Sequence, residues 1–267
     1  MSRTLTLIRT GWESIRATAE RGRKVDALAQ LGRLLARPDV PADILRDGNR
    51  LGAELALDTG RFGSARRHLK TVLALDATDA GARFLAGRVW EEDPDGCDRR
   101  AAIAYRKATR LDSANPLYRA AFGRAAARCG KVRLGAREMV AATEHAPGNL
   151  DVVRVAVRGL LEVGRPALAR QVLAKAQFLN PRVAELRSFA ERVRFETARQ
   201  TQRKTREHTR HAQDAQIARD GDRVLLPFIR IADGTGAPRA AGAVRADVMS
   251  FPRPHFNRLR SGKADRS

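Results

Sequence analysis

Between residues 116 and 181 the apolar residues recur every three or four positions, not every second one. Leu117, Ala121, Phe122, Ala125 and Ala126 share one helical face before Gly130, and Ala136, Met139, Val140 and Ala142 share another after it. Val153, Ala156, Val157 and Leu160 repeat the pattern before Gly164, and Ala169, Val172, Leu173 and Ala176 repeat it after. This spacing predicts pairs of amphipathic helices on a common core, not strands. Each glycine supplies the left-handed residue of the turn between paired helices, and Pro147 and Pro181 stop the second helix of each pair.

The arrangement is periodic. Gly60, Gly96, Gly130 and Gly164 are 36, 34 and 34 residues apart, and Leu75-Asp76, Leu111-Asp112, His145-Ala146-Pro147 and Leu179-Asn180-Pro181 keep the same intervals. A fixed period of this length marks a stacked-repeat architecture, in which each unit buries its apolar face against its neighbours. After Pro181, Val183, Leu186, Phe189, Ala190 and Val193 continue an apolar stripe, as a helix capping the last repeat requires. Residues 197–219 stay compatible with a helix but have almost no apolar face, which predicts a polar helix in solvent. Beyond it, Val224-Leu225-Leu226-Pro227-Phe228-Ile229-Arg230-Ile231 is a short apolar run before a Gly/Pro/Ala-rich stretch and a basic end. That composition predicts a largely disordered tail, with the apolar run as a docking segment for a partner or for the chain's own groove.

These features resemble the tetratricopeptide repeat (TPR) family, whose unit of about 34 residues is a helix–turn–helix. Phe122-Gly123, Gly130, Ala142 and Pro147 match its pattern, as do Ala156, Leu160, Gly164, Ala169, Ala176 and Pro181. Leu51-Gly52, Gly60, Ala65 and Leu69 match in an earlier repeat, and Ala101, Tyr105 and Ala108 in the one after Gly96. There are departures. Gly135 stands where the packing alanine is expected, and an acidic insertion, Glu91-Glu92-Asp93-Pro94-Asp95, lengthens one unit. No proline follows Leu75, and the one after Leu111 is displaced to Pro116. Trp12, Gly22, Ala27, Leu31 and Pro38 resemble a degenerate N-terminal copy. The resemblance implies an all-α, TPR-like helical solenoid, a right-handed superhelix whose inner groove is lined by the first helix of each repeat. The expected layout is a degenerate capping pair over 1–41 and four repeats over 42–181, at about 45–79, 80–115, 116–149 and 150–181. A capping helix with a polar extension follows over 182–220, then a basic, Pro/Gly-containing flexible tail over 221–267 with its apolar run at 224–231.

Composition narrows the function. The 267 residues carry a formal charge of +21, and arginine far outnumbers lysine. An excess of this kind attracts polyanions, or it reflects an Arg- and Ala-rich, bacterial-looking codon usage with solvated helix faces. Cys97 and Cys129 form no C-x-x-C and suit a reducing compartment. The N-terminus lacks the apolar run of a signal peptide, and no stretch approaches the roughly 20 apolar residues of a membrane span, so the expected location is cytoplasmic. Glu207, His208, His211 and Asp214 do not keep the spacing of a zincin, Gly234-Thr235-Gly236 lacks the third glycine of a dinucleotide loop, and Ser64, Ser113 and Ser188 have no nucleophile-elbow context. No catalytic residue, cofactor or metal is expected.

The binding surface is more informative. One TPR subset clamps a carboxylate with Lys and Asn on its first helices. Here the corresponding stretches carry Arg83, Arg124, Arg128, Arg154 and Arg158, with Asn49 alone in the first full repeat. Arg124 and Arg128 are four residues apart, as are Arg154 and Arg158, so each pair shares a helix face. Forked guanidinium groups grip carboxylate or phosphate through two bonds, which points to an electropositive groove for an acidic or phosphorylated segment; the alternative is that they solvate the groove. Trp90 is either a groove-facing anchor or core, Phe122, Tyr105 and Phe178 are expected to pack, and Tyr118 is open to both roles. The expected function is a non-catalytic scaffold or adaptor that binds a protein partner. The alternative is a repeat protein associated with RNA or DNA through distributed positive charge, against which stands the lack of paired base-stacking aromatics.

Overall fold

In a computed structural model, residues 3–223 are described, with side chains over 4–217. They form α1 (Arg3–Glu20), α2 (Lys24–Leu35), α3 (Ala42–Asp58), α4 (Phe62–Leu75), α5 (Ala80–Glu92), α6 (Asp98–Leu111), α7 (Pro116–Arg128), α8 (Val132–His145), α9 (Leu150–Glu162), α10 (Pro166–Leu179) and α11 (Ala184–Arg223). The chain divides into two units, Met1–Asp214 and Ala215–Ser267. The first contains the helix pairs; of the second, only the end of α11 is described. The apolar run 224–231 and the rest of the tail lie outside the described residues. Among the described residues every regular element is a helix; α1 to α10 form five consecutive helix–turn–helix pairs, and α11 follows them.

Four of the five turns within pairs share one hydrogen-bond pattern. Gly22, Gly60, Gly130 and Gly164 have positive φ. The residue after each glycine donates its N–H to a carbonyl five positions back: Arg23 to Thr18, Arg61 to Ala56, Lys131 to Ala126 and Arg165 to Leu160. This bond satisfies a carbonyl that the ending helix leaves orphaned and reverses the chain within two residues. Gly96 departs from the sequence expectation, because it is not among the left-handed glycines. The acidic insertion is the cause. Asp93 leaves α5 in an extended conformation, and Gly96 donates to the Asp93 carbonyl at 2.8 Å, so Asp93-Pro94-Asp95-Gly96 makes the reversal. Gly96 is held there by space, since a Cβ would lie 2.1 Å from the Trp90 carbonyl oxygen.

Between pairs the chain is redirected differently. Asp79, Asn115 and Asn149 cap the N-termini of α5, α7 and α9 by accepting backbone N–H groups, and Pro116 fills the first helical position of α7. The core runs along the stack. One cluster joins α1 to α5, and another joins α7 to α10 with Leu186, Phe189 and Val193 of α11. Beyond residue 200 every described side chain of α11 is exposed.

The departure at Gly135 has a steric reason. Ala65, Ala101 and Ala169 are fully buried where α4, α6 and α10 meet their partners. In the α7–α8 pair the contact is between backbones: a Cβ on Gly135 would lie 2.4 Å from the Gly123 carbonyl oxygen and 2.5 Å from the Ala127 Cβ. Tyr105 packs as expected, its ring against Gly87. Phe178 does not pack: it is 86% exposed. Nine residues at about 100° each place it on the side of α10 opposite Ala169, which faces the core.

A polar contact sits between α3 and α4. Gly52 leaves room for the His68 ring, whose Nδ1 lies 2.9 Å from the Oδ1 of buried Asn49, while Asn49 Nδ2 donates to the Leu45 carbonyl. With its amide so oriented, Asn49 accepts a proton from His68 Nδ1. Burial, with a smaller contribution from Arg67, holds the imidazole pKa below its ordinary value.

This packing has two measurable consequences. Alanine for glycine inside a helix ordinarily stabilises by about 0.5–1 kcal/mol. Gly32 of α2 has open space around its Cβ position, so Gly32→Ala is expected to show that gain in urea unfolding. Gly135→Ala is expected to reverse the sign and destabilise by about 2 kcal/mol, as overpacking against backbone does; equal effects at the two sites would refute the account. For His68, the unfolded chain binds protons first as pH falls. The stability due to the neutral ring is therefore complete above about pH 6.5 and declines as pH drops toward the lowered native pKa. Urea midpoints between pH 7.5 and 5.5 are expected to fall less in His68→Gln than in the parent chain.

Candidate functional site

The first helices of successive pairs are neighbours, and arginine–carboxylate bonds cross from one to the next. Arg50 of α3 reaches Asp79, the cap of α5. Glu91 of α5 takes Arg128 at 3.2 Å and Arg124 at 3.7 Å, both from α7. Arg124 also reaches Glu162 of α9 at 3.2 Å. Arg154 of α9 grips Glu185 of α11 with two bonds, 2.7 and 2.8 Å, and bonds Asp151 on its own helix. Spacings close to one repeat bring these partners together. Hydrogen bonding to Glu185 raises the Arg154 pKa above its ordinary range, and the same bond holds Glu185 below the usual carboxylate range. At Arg124 burial opposes the charge, but Glu91 and Glu162 together outweigh it and the pKa is raised.

Glu91 is the junction of this ladder. Its side chain is 13% exposed, and its second oxygen accepts the Tyr105 hydroxyl at 2.7 Å. Burial and the neighbouring Glu91 raise the Tyr105 pKa, so the phenol remains a donor. Arg83 stands apart, with a long contact to the Ala77 carbonyl. Trp90 is half-buried between second helices: the guanidinium groups of Arg66 on α4 and Arg100 on α6 lie 4.8 and 4.6 Å from its ring centroid. Tyr118 stacks on Phe84 at 4.7 Å between centroids.

One first-helix region is open. Arg124, Arg158, Leu161, Glu162, Phe189, Arg192 and Glu196 line a cleft of about 460 Å³ between α7, α9 and α11. Arg158 and Arg192 are exposed, and neither makes an ion pair among the described residues; Arg158 lies 5.8 Å from the Phe189 centroid. His208 and His211 are exposed on α11, and no group of three His, Cys, Asp or Glu among the described residues is placed to hold a metal. Among the described residues no helix is long and apolar enough to cross a membrane.

No protein-family model matches the chain, and no curated protein matches it. Solved structures do. TTC0263, described as a thermophilic TPR protein in Thermus thermophilus, superposes with a TM-score of 0.53 at 18% identity, covering 69% of this chain and 97% of that one. A crystal structure of MamA superposes with a TM-score of 0.53 at 17% identity, covering 69% of this chain and 96% of that one. The chain has the TPR fold. In TPR terms, the ladder and the cleft both lie on the layer of first helices.

The sequence reading placed Arg124, Arg128, Arg154 and Arg158 on that layer but missed the carboxylates that the first three bond. Glu91, Glu162 and Glu185 were legible as acids about one repeat from an arginine, a signal that the search for positive charge passed over. Phe189 was read only as part of a cap, and Arg192 was not singled out. Glu91→Ala is expected to destabilise the chain by about 2 kcal/mol, because it strands the buried Tyr105 hydroxyl and leaves Arg124 and Arg128 with one carboxylate partner each, Glu162 and Asp98. Tyr105→Phe is expected to cost about 1 kcal/mol, and the double mutant less than the sum of the two. Additive losses in denaturant unfolding would show that Glu91 and Tyr105 act separately.

Proposed function

We propose that this TPR chain is a non-catalytic scaffold that holds an acidic segment of a protein partner across its first-helix layer. The cleft between α7, α9 and α11 is the contact point. The observation that carries the reading is Arg158 and Arg192, exposed and without an ion pair among the described residues, beside apolar Leu161 and Phe189. Arg124, Arg128 and Arg154 already bond carboxylates of this chain, so a ligand gains less from them. Leu161 and Phe189 add an apolar floor, which favours a segment with large side chains between its acids. Both supports are local to the cleft, and the fold supplies the rigid layer that presents it.

The test is fluorescence anisotropy with a labelled Glu-rich peptide containing Leu and Phe. Each charge-assisted bond lost contributes about 1.5–3 kcal/mol, so Arg158→Glu with Arg192→Glu is expected to weaken binding by at least about tenfold. Arg83→Glu is expected to change it little. Affinity unaffected by the double substitution would overturn the cleft as the contact point.

A further inference from the structure

The net positive charge of the helix pairs is concentrated away from the first-helix layer. There, α3 sets two arginines against four acids, and α5 and α9 each set two against two. α7 carries three arginines and no acid, but all three bond carboxylates of other helices. The second helices differ. α4 has Arg67 and Lys70 exposed with no acid, its Arg66 being paired with Asp93 after α5, and α10 has Arg170 and Lys175 with none. α6 has five basic residues against Asp98 alone, and Asp98 faces Arg128 of α7 at 3.5 Å.

The exposed positions of α6 are Arg99, Arg100, Ile103, Arg106, Lys107, Arg110 and, at its end, Leu111, a single face. From Arg99 to Arg110 it extends about 16 Å at the helical rise of 1.5 Å per residue. Among the described residues no ion pair reaches any of its five basic side chains. Because Arg66 and Arg100 meet at the same Trp90 ring, the basic surfaces of α4 and α6 adjoin there. Like charges gathered without counter-charges repel one another at a cost to the fold, and a polyanion removes that cost.

The chemistry of the face selects among polyanions. Protein interfaces have a charge-depleted centre rich in aromatic residues, whereas here five of the seven exposed residues are basic and the two apolar ones are Ile103 and the terminal Leu111. Interfaces with nucleic acid are strongly basic, and most of their bonds go to phosphate and sugar. No aromatic residue lies on the exposed face of α6 to stack unpaired bases, so a paired duplex suits it better than a single strand. We propose that the outward face of α6, extended by Arg67 and Lys70 of α4, binds the backbone of a nucleic-acid duplex without sequence preference.

The test uses the full chain and labelled duplexes of about 20 base pairs, DNA and RNA, between about 50 and 200 mM salt. Contact with about five phosphates predicts a slope of about −4 to −5 in log affinity against log salt for DNA. Replacing Arg99, Arg106, Lys107 and Arg110 together with Gln, a good helix former, is expected to reduce that slope by about three to four. Affinity should also fall at least tenfold, with the helical circular dichroism unchanged. Arg158→Gln with Arg192→Gln is expected to leave duplex binding intact, which separates this face from the cleft. The proposal is overturned by no duplex binding at about 50 mM salt, or by a quadruple variant that keeps the parent affinity and slope. It is overturned equally if anionic phospholipid vesicles or polyglutamate bind through α6 while duplexes do not.

Discussion

How closely two helices of a repeat approach is decided by the side chain at one position of the second helix. Alanine at Ala65, Ala101 and Ala169 is fully buried, and in the α7–α8 pair even a methyl group is too large. Dense packing leaves no slack to absorb a larger residue, so this position sets the separation of each pair. The separation in turn sets where the next first helix lies. The arginine–carboxylate bonds between first helices need their partners within about 4 Å, and they form because the small residues hold the helices at the right distance.

The ladder explains why an arginine-rich layer of first helices need not be an electropositive one. Arg124 is largely withdrawn from water, and a charge so placed requires a partner. Glu91 and Glu162 supply it from the helices on either side. Paired in this way, Arg124, Arg128 and Arg154 tie neighbouring repeats together, and their charge is offset within the chain. The same logic makes the exceptions informative: Arg158 and Arg192 stay hydrated, so their charge remains available.

The repeat was legible because its markers have local causes. A glycine with a basic residue after it, as in Gly60-Arg61, Gly130-Lys131 and Gly164-Arg165, reports a left-handed turn whose geometry is complete within six residues. Gly96 shared the rhythm but not the cause, because the insertion before it had already turned the chain. Phe178 was misjudged for a related reason: its size suggested core, while its angular position on α10 decided exposure. The bonds of Glu91 depend on which helices become neighbours, and sequence spacing shows that only once the repeat length and stacking are both known.

Charge on the two layers of this fold obeys different constraints. First helices lie against the first helices of adjacent repeats, so an arginine directed at that contact, such as Arg124, is partly buried and needs a carboxylate partner. The outward positions of second helices face water, where isolated charge costs little. A basic excess from any source, compositional or functional, would therefore collect on the outer layer. What distinguishes α6 is that basic residues fill five of the seven positions of its exposed face, while its one acid, Asp98, is engaged with α7. On α8, by contrast, two acids balance two arginines, and Arg137 bonds Glu138. The contrast between two neighbouring second helices in the same solvent is the argument that α6 is a surface and not a by-product of composition.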